Sequence, residues 1–399
     1  MTGATVLSAR WILPIDRPPI DGGWVEISGG EIVRLARGRA PAGARDLGDV
    51  ALMPGLVNAH THLELSWLAG RVRPAESMVG WIRSLIAARV APDAPPEAER
   101  AVAAAQAAAT MRDTGTVLAG DVTNTLTTVP ALHGAGLSAV LFHEVLGFNQ
   151  ARPARAVEVA WTQARAAASG GIIPAVVAHA PYSVAPSLFS EIARRRETAP
   201  LSVHLGESAE EIEFLRSGHG PFRRLLEDLG VWNDGWEPPG GDPIDYLDRL
   251  GYLVPGLLAV HAVHLSRASI EHLCDAGGVV VTCPRSNVWV GGGIPNVSRF
   301  YASGLPVAIG TDSLASAPTL NLFDELAELR RIAPDVAPES LLDSATRAGA
   351  EALGFGRLFG TIAPGKRSAL IAVDVPSSVT DVEEYLVSAV PAAAIRRVS

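Results

Sequence analysis

The sequence contains little cysteine, little lysine and no long apolar run. Its 399 residues include two cysteines, Cys274 and Cys283, which form neither a disulfide framework nor a Cys-x-x-Cys zinc motif. The formal net charge of −9 leaves no basic excess for nucleic acid or anionic membranes. No run approaches the roughly 20 apolar residues of a membrane span, and no basic segment precedes an apolar signal core. We therefore expect a cytoplasmic, soluble protein that binds neither nucleic acid nor a membrane.

Short apolar runs alternate with alanine-rich stretches through the middle of the chain. Eight of these runs are typical of buried strands, and helix-like stretches such as 96–112 and 320–332 separate most of them. Eight such units predict an α/β fold, a (β/α)8 barrel of the TIM type, with its active site at the C-terminal ends of the strands. The runs end near residue 59 and then lie at 116–119, 139–142, 175–178, 201–203, 257–260, 279–282 and 307–310.

The two ends of the chain have a different pattern, with short strand-like runs and glycine-rich turns in 5–35 and again in 368–373. We expect these segments to form one small β-sandwich domain. The predicted division assigns 1–51 and 361–399 to this domain, and 52–360 to the catalytic barrel.

Two histidines, His60 and His62, lie one residue apart, shortly after the apolar run 49–53 and a Pro54-Gly55 pair. Residues i and i+2 of an extended chain point the same way, so both imidazoles could bind one metal ion. The plain alternative is a pair of surface loop histidines, and this motif alone does not decide between them.

Residues that bind metals or transfer protons follow five of the eight predicted strands. Titratable groups that converge on one face of a barrel have little structural purpose, so the set favours an active site. A single member, such as His179, would in isolation be better explained as a buried core histidine. The set comprises His60 with His62, His179, His204 with Glu207, His261, and Asp312.

These strand ends resemble the amidohydrolase superfamily, and within it the mononuclear deaminases and chlorohydrolases of the TRZ/ATZ type. The resemblance covers nearly the whole chain and rests on several segments taken together. They are Pro-Gly-Leu-Val-Asn-Ala-His-Thr-His at 54–62, His-Leu-Gly-Glu at 204–207, His261, Gly-Thr-Asp-Ser at 310–313 and Gly-Thr-Ile-Ala-Pro-Gly-Lys at 360–366.

The resemblance implies a metal site with one divalent ion per subunit. Binuclear relatives bridge two metals with a carboxylated lysine on the fourth strand, whereas the single lysine here is Lys366, outside the predicted strands. Three imidazoles and one carboxylate suit a catalytic zinc, with iron as the alternative. The implied ligands are His60, His62, His204 and Asp312.

The resemblance also implies three catalytic residues for the hydrolysis of an amino group on a heteroaromatic carbon. Asp312 would take a proton from water, and His261 would stabilise the developing negative charge. Glu207 would protonate the ring nitrogen and then pass a proton to the departing ammonia. For Glu207 the alternative is a solvated carboxylate at a helix start.

Three further segments, 142–148, 204–218 and 283–287, resemble the aminodeoxyfutalosine deaminases of that branch. Their substrate is an adenine nucleoside with a carboxyphenyl group, and their product futalosine leads to menaquinone. The implied substrate-binding residues are Trp81, Glu144, His179 and Arg285.

Two of these positions bear on the substrate. Arg285 would pair with the substrate carboxylate, although an arginine that holds a loop carbonyl explains it equally well. Val79 stands where deaminases of adenosyl compounds have an acidic residue, which counts against S-adenosylhomocysteine and methylthioadenosine as substrates.

Other functions are compatible with the same ligand set. A different deaminase or chlorohydrolase could act on an adenosine derivative, guanine or an s-triazine. A non-catalytic binding barrel would be expected to have lost metal ligands, and all four are present. The oligomeric state is open, with a homodimer as one possibility.

Overall fold

The computed structural model describes residues 4–398. Within them, β-rich segments at both ends flank a long region in which strands and helices alternate, and two 3-10 helices lie at Leu63–Leu68 and Ala392–Ala394. No helix in this described part is both long enough and apolar enough to cross a membrane.

The middle of the chain contains two four-stranded parallel sheets. Their orders are β6-β7-β8-β9 and β10-β11-β12-β13, and almost every residue in them is buried, as in parallel strands covered by helices. The prediction of eight strands in an α/β fold is confirmed. The strands are β6 (Leu56–Thr61), β7 (Thr116–Thr123), β8 (Ser138–Val145), β9 (Ile172–Ala178), β10 (Ser202–Leu205), β11 (Leu258–His261), β12 (Val279–Thr282) and β13 (Val307–Ile309).

Backbone hydrogen bonds connect the two central sheets at both of their outer edges. The amide of His204 donates to the carbonyl of His179 at 2.9 Å, where β9 and β10 meet. The amides of Thr311 and Asp312 donate to the carbonyl of His60 at 3.0 and 3.1 Å, where β13 meets β6. These bonds bring the C-terminal ends of the outer strands close together.

Helices follow most of the central strands. The predicted stretches 96–112 and 320–332 correspond to α2 and α12, and Asn321 caps α12 by accepting a hydrogen bond from the Phe323 amide. The helices are α1 (Met78–Arg89), α2 (Glu97–Asp113), α3 (Val129–Ala135), α4 (Pro153–Ala167), α5 (Pro186–Arg194), α6 (Ala209–Ser217), α7 (Pro221–Asp228), α8 (Pro243–Arg249), α9 (Arg267–Asp275), α10 (Pro284–Trp289), α11 (Val297–Ala302), α12 (Leu322–Ile332), α13 (Pro338–Ser344), α14 (Arg347–Ala352) and α15 (Val382–Leu386).

The two chain ends together form one seven-stranded mixed sheet. Its order is β15-β14-β5-β1-β2-β3, with β4 also paired to β1. The predicted β-sandwich is therefore corrected to a single sheet, because β1 pairs with β2 on one side and with β5 and β4 on the other. The strands are β1 (Thr5–Ile12), β2 (Ile20–Ser28), β3 (Glu31–Arg37), β4 (Arg45–Asp46), β5 (Val50–Pro54), β14 (Leu370–Asp374) and β15 (Ile395–Arg397).

The apolar run 49–53 is not the strand that carries the two histidines. It forms β5, which pairs with β14 in the terminal sheet, while the histidines lie on β6. Gly55 separates the two strands, and a Cβ there would lie 2.2 Å from the Val117 side chain, so only glycine fits. The predicted boundary after residue 51 falls inside β5.

Candidate active site

Three predicted metal ligands meet where β6 and β13 end. The Nε2 atoms of His60 and His62 lie 3.1 Å apart, as expected for residues i and i+2 of one strand. The Asp312 Oδ1 atom lies 3.6 Å from His62 Nε2 and 4.0 Å from His60 Nε2, and all three side chains are buried. Ligand atoms about 2.1 Å from a tetrahedral zinc lie roughly 3.4 Å from one another, so these separations fit one ion.

His204 joins this group from the end of β10. Its ring centroid lies 4.9 Å from that of His60 and 5.4 Å from that of His62. In the described part of the chain, the buried Nδ1 of His60 has no hydrogen-bond partner. Buried polar atoms are rarely left unpaired, so this nitrogen and the converging rings fit a site for a divalent cation.

Two site residues, His261 and Asp312, have an unusual backbone conformation that directs their side chains. His261 has a φ of 76° and Asp312 a φ of 57°, both in the left-handed region that side chains rarely adopt. Such strain is concentrated at functional sites, where the surrounding structure holds the residue in place. Both residues lie at the ends of strands, facing the histidine cluster.

Asp312 lies in polar surroundings. Its Oδ2 accepts hydrogen bonds from the Ser286 and Ser316 hydroxyls at 2.5 and 2.8 Å, which leaves Oδ1 for the histidines. Burial would raise the pKa of Asp312, but the charges of His62 and His261 and the Ser286 hydrogen bond hold it below the ordinary value. The carboxylate is therefore ionised at neutral pH.

His261 lies between His204 and Glu207. Its Nε2 is 2.9 Å from His204 Nδ1 and 3.6 Å from Glu207 Oε1, and its Nδ1 hydrogen-bonds to Asn287 Oδ1 at 2.7 Å. An amide oxygen only accepts, so Nδ1 carries the proton and Nε2 faces the site as an acceptor. Burial and the neighbouring His204 lower the pKa of His261 to about 3, so the ring is neutral.

Glu207 is a buried carboxyl group in a fixed loop. Burial raises the pKa of Glu207 to about 8, a value at which the group is mostly protonated at neutral pH. The Glu211 carboxylate accepts hydrogen bonds from the amides of Gly206 and Glu207, both at 2.9 Å, and so fixes the turn. This geometry suits a proton donor.

Glu144 and His179 lie on the other side of His204. Glu144 Oε1 is 3.4 Å from His204 Nε2, and Asn124 donates to Glu144 Oε2 at 3.0 Å. Burial would lower the pKa of His204, but the hydrogen bond and charge of Glu144 raise it to about 9. Burial lowers the pKa of His179 to about 4, and its Nδ1 lies 2.6 Å from the Ser183 hydroxyl. Metal binding by His204 would therefore compete with a proton.

A cavity of about 210 Å³ opens beside these groups. Helices α1 and α7 contribute an apolar wall, and the polar groups lie at the strand ends. Of the predicted site residues, the cavity is lined by His62, Trp81, Glu144, His179, His204, Glu207 and Asp312.

Arg285 points elsewhere, and its predicted role is corrected. Its Nη1 hydrogen-bonds to Thr319 Oγ1 at 3.0 Å and lies 3.4 Å from Asp324 Oδ2 and 3.5 Å from Glu325 Oε1. It is not among the residues that line the cavity. Because these groups already pair with its guanidinium, Arg285 holds the segment around the start of α12. This role is close to the second interpretation given above, an arginine that holds a loop.

Six residues that orient the site groups were not predicted from the sequence. Asn58 donates to Thr311 Oγ1 at 2.7 Å and links the strands that carry the histidines and Asp312. Asn58, Ser286 and Asn287 lie inside the motifs noted above, close to His60 or Arg285. Ser316 lies in no motif that would have pointed to its role. The missed residues are Asn58, Asn124, Glu211, Ser286, Asn287 and Ser316.

An α/β fold with a histidine–aspartate cluster at its strand ends defines a class of hydrolases that act through a bound metal ion. The sequence pattern of the amidohydrolase family matches residues 51–396, and the chain belongs to this family. It is accordingly an enzyme that hydrolyses carbon–nitrogen bonds.

Three similar proteins place the chain within the family. The aminodeoxyfutalosine deaminase of Deinococcus radiodurans is 31% identical over 337 residues, 80% of this chain and 77% of that protein. The 5-methylthioadenosine/S-adenosylhomocysteine deaminase of Syntrophobacter fumaroxidans is 31% identical over 394 residues, 89% and 80% of the two chains. An adenosine deaminase from Xanthomonas campestris, solved with bound zinc, matches with a TM-score of 0.80 and 25% identity over 98% of this chain and 90% of its own.

Proposed function

We propose that this protein is a metal-dependent deaminase of adenine nucleosides, and that it converts 6-amino-6-deoxyfutalosine to futalosine and ammonia in menaquinone biosynthesis. The observation that carries the reaction is the position of a buried carboxyl group, Glu207, beside a histidine–aspartate cluster in one cavity. The relative from Deinococcus radiodurans, 31% identical over 80% of this chain, supports the substrate.

The donor set fits one divalent cation, which we propose to be zinc. The zinc-bound adenosine deaminase with a TM-score of 0.80 supports this choice. When bound, the ion would supply Lewis acidity that makes water a better nucleophile. The residues that would hold it are His60, His62, His204 and Asp312.

The protein residues would move protons during hydrolysis. Glu207, with a pKa raised to about 8 by burial, donates a proton to the purine ring nitrogen next to the amino-bearing carbon. The ionised Asp312 takes one proton from the attacking water, and Glu207 passes the second water proton from the new hydroxyl group to the departing amine. The proton on Asp312 then restores the protonated form of Glu207. Neutral His261 accepts a hydrogen bond from His204 Nδ1 through its unprotonated Nε2, 2.9 Å away, and so orients the His204 ring beside the attacking water. Water oxygen replaces the amino group, and ammonia leaves.

We propose that the remaining cavity residues bind the nucleoside. Trp81 lies on α1 with 8% exposure and offers an apolar surface, while Glu144 and His179 offer polar atoms near His204. Glu144 and His179 would contact the purine and ribose, because their polar atoms lie on the side of His204 away from Glu207.

A second candidate substrate class is the 5-thio-substituted adenosines. The relative from Syntrophobacter fumaroxidans, 31% identical over 89% of this chain, favours it. Against it, the position expected to be acidic is Val79, which is buried in α1 with 4% exposure. The same assay therefore includes these compounds.

The architecture and location also belong to the proposal. The bonds at both edges of the central sheets support one closed eight-stranded barrel. We propose residues 52–360 as the barrel domain and 1–51 with 361–399 as the small domain. Both cysteines are free, which supports action in the cytoplasm.

The test is ammonia release by zinc-loaded protein from aminodeoxyfutalosine, methylthioadenosine, S-adenosylhomocysteine, adenosine and guanine. We expect kcat/KM of about 10⁴ M⁻¹s⁻¹ or more for aminodeoxyfutalosine, within the usual range for enzymes. A clear preference for methylthioadenosine or S-adenosylhomocysteine would establish the second candidate instead. No ammonia from any of the five would contradict a nucleoside deaminase.

A further inference from the structure

Helix α1 presents one continuous stripe of side chains to the cavity. The spacing i, i+3, i+4, i+7, i+8, i+11 keeps these residues on one helical face. Five members are apolar, and the sixth is an arginine at the end of the helix. The stripe consists of Met78, Trp81, Ile82, Leu85, Ile86 and Arg89.

Helix α7, which adjoins α1, adds a second apolar stripe to the cavity lining. Phe222, Leu225 and Leu226 of α7 and Leu229 directly after it line the cavity at i, i+3, i+4 and i+7. An ion pair between Arg83 and Asp228, 2.5 Å apart, ties the two helices together. An apolar surface of this extent suits a flat apolar group such as an aryl ring.

The Arg89 guanidinium is available for a ligand. Arg89 is exposed, and among residues 4–398 no side-chain carboxylate lies within ion-pair distance of it. Glu64 also lines the cavity, but its carboxylate already accepts hydrogen bonds from Thr123, Asn124 and Thr125 at 2.6 to 3.1 Å. Within the described residues, Arg89 is the one lysine or arginine that lines this cavity.

We propose that Arg89 binds a carboxylate at the outer end of the substrate, beyond an apolar group that packs against the side chains of α1 and α7. A guanidinium pairs with a carboxylate through two parallel hydrogen bonds, which recognises shape as well as charge. Trp81 and Arg89 are about 12 Å apart along the helix at 1.5 Å per residue, so the carboxylate is carried on an extended arm. The substrate class is therefore adenine nucleosides with an apolar, acid-terminated 5′ arm.

This inference rests on the proposed function for the reacting end of the substrate and assigns the other end. Arg89 then recognises the substrate carboxylate, the role that the sequence predicted for Arg285. Because Arg89 is exposed, water and salt weaken the pair, and we expect an effect of about fivefold that decreases as salt is added.

The test compares aminodeoxyfutalosine with its methyl ester, which keeps the shape and removes the charge. Wild type should have kcat/KM about fivefold higher for the acid, and Arg89→Met should remove this preference through a higher KM for the acid. The matched control is Arg73→Met, because Arg73 is also exposed and does not line the cavity. This variant should keep the wild-type preference.

Calorimetric binding of futalosine and its methyl ester separates the two proposals. Tighter binding of the acid by wild type, lost in Arg89→Met and kept in Arg73→Met, supports the role of Arg89 even if no nucleoside is deaminated. Equal affinity for acid and ester in wild type, or binding of neither, overturns it. If deamination occurs without any acid preference, the proposed function stands and Arg89 is excluded.

Discussion

Two carboxyl groups in this site have opposite protonation states because their surroundings differ. Asp312 accepts two hydroxyl hydrogen bonds and faces histidines, and its pKa is held low. Glu207 is buried, and the cost of a buried charge raises its pKa to about 8. Groups separated in this way can serve as base and acid at the same pH.

The pH dependence of turnover should report Glu207. Its protonated form is the donor, so kcat/KM should fall as pH rises through about 8.

Glu207→Gln should keep the metal and reduce kcat by about 10² or more, the usual contribution of a general acid. pH–rate profiles and metal analysis measure both effects. Glu213→Gln, an exposed control on α6, should behave as wild type; unchanged turnover in Glu207→Gln would remove the role of Glu207.

Metal content should depend on the clustered ligands. His60→Ala or Asp312→Ala should lower bound zinc to well below one ion per chain, because each removes a donor from a compact set. Elemental analysis after dialysis measures this effect. The matched control is His219→Ala, an exposed histidine outside the cluster, which should retain wild-type zinc. Full occupancy in both ligand variants would place the metal elsewhere.

Residue types at strand ends were predictable from the sequence, but the direction of a long side chain was not. His60 and His62 point the same way because the period of a strand fixes them. Arg285 follows a strand as expected, yet its flexible side chain reaches Asp324 and Glu325, far from it in sequence. Asp324 and Glu325 showed no sign of this pairing in the sequence.

At the scale of secondary-structure elements, close contact between β6 and β13 positions the ligands. A Cβ at Gly310 would lie 2.7 Å from the His60 carbonyl oxygen and 2.8 Å from its Cβ. Glycine therefore allows the two strand ends to approach, which brings His60 near Asp312.

Gly310→Ala should disturb the metal site without changing any ligand. The new methyl group must displace His60, so we expect zinc affinity to fall by about tenfold or more together with a lower Tm. Competition with a chromophoric chelator and thermal unfolding measure these effects. Gly134→Ala on α3, where a Cβ meets open space, is the control; it should leave zinc affinity unchanged and should not lower the Tm, because alanine favours a helix. Equal zinc affinity for both variants would contradict the account of this contact.

Uninterrupted apolar runs made the eight central strands predictable, even where the strand is only three or four residues long, whereas strands with mostly charged residues were not. The chain turns at Pro54-Gly55 between β5 and β6. The sequence predicted a single strand here, whereas β5 and β6 belong to two different sheets. β15 spans Ile395–Arg397 and includes two arginines, so it has no apolar alternation. Its pairing with β14 is long-range and depends on tertiary packing.

At the scale of the whole molecule, the terminal sheet joins both chain ends to the catalytic region. Strand β5 leads directly into β6 and pairs with β14, so the two ends of the chain are adjacent to the histidine strand. The Arg10 side chain also donates to the carbonyls of Pro376 and Val379. That both ends share one sheet was predictable from their matching composition, but the strand order was not.

Stability should depend on this junction. Ile371 on β14 is fully buried, and Ile371→Ala should lower the free energy of unfolding by about 2–4 kcal/mol through lost burial and a cavity. Ile371→Val should lower it by about 1 kcal/mol. Denaturant unfolding measures both, and the zinc content of the folded variants should be unchanged. Equal stability of wild type and Ile371→Ala would show that the sheet does not stabilise the molecule.

The most direct test of the central claim is the fate of the solvent oxygen during turnover of aminodeoxyfutalosine. In water labelled with heavy oxygen, zinc-loaded protein should release ammonia and form futalosine with one labelled oxygen at the former amino carbon. Zinc-free protein should form neither product. Unlabelled futalosine, or no ammonia from fully metal-loaded protein, would contradict a hydrolytic deaminase.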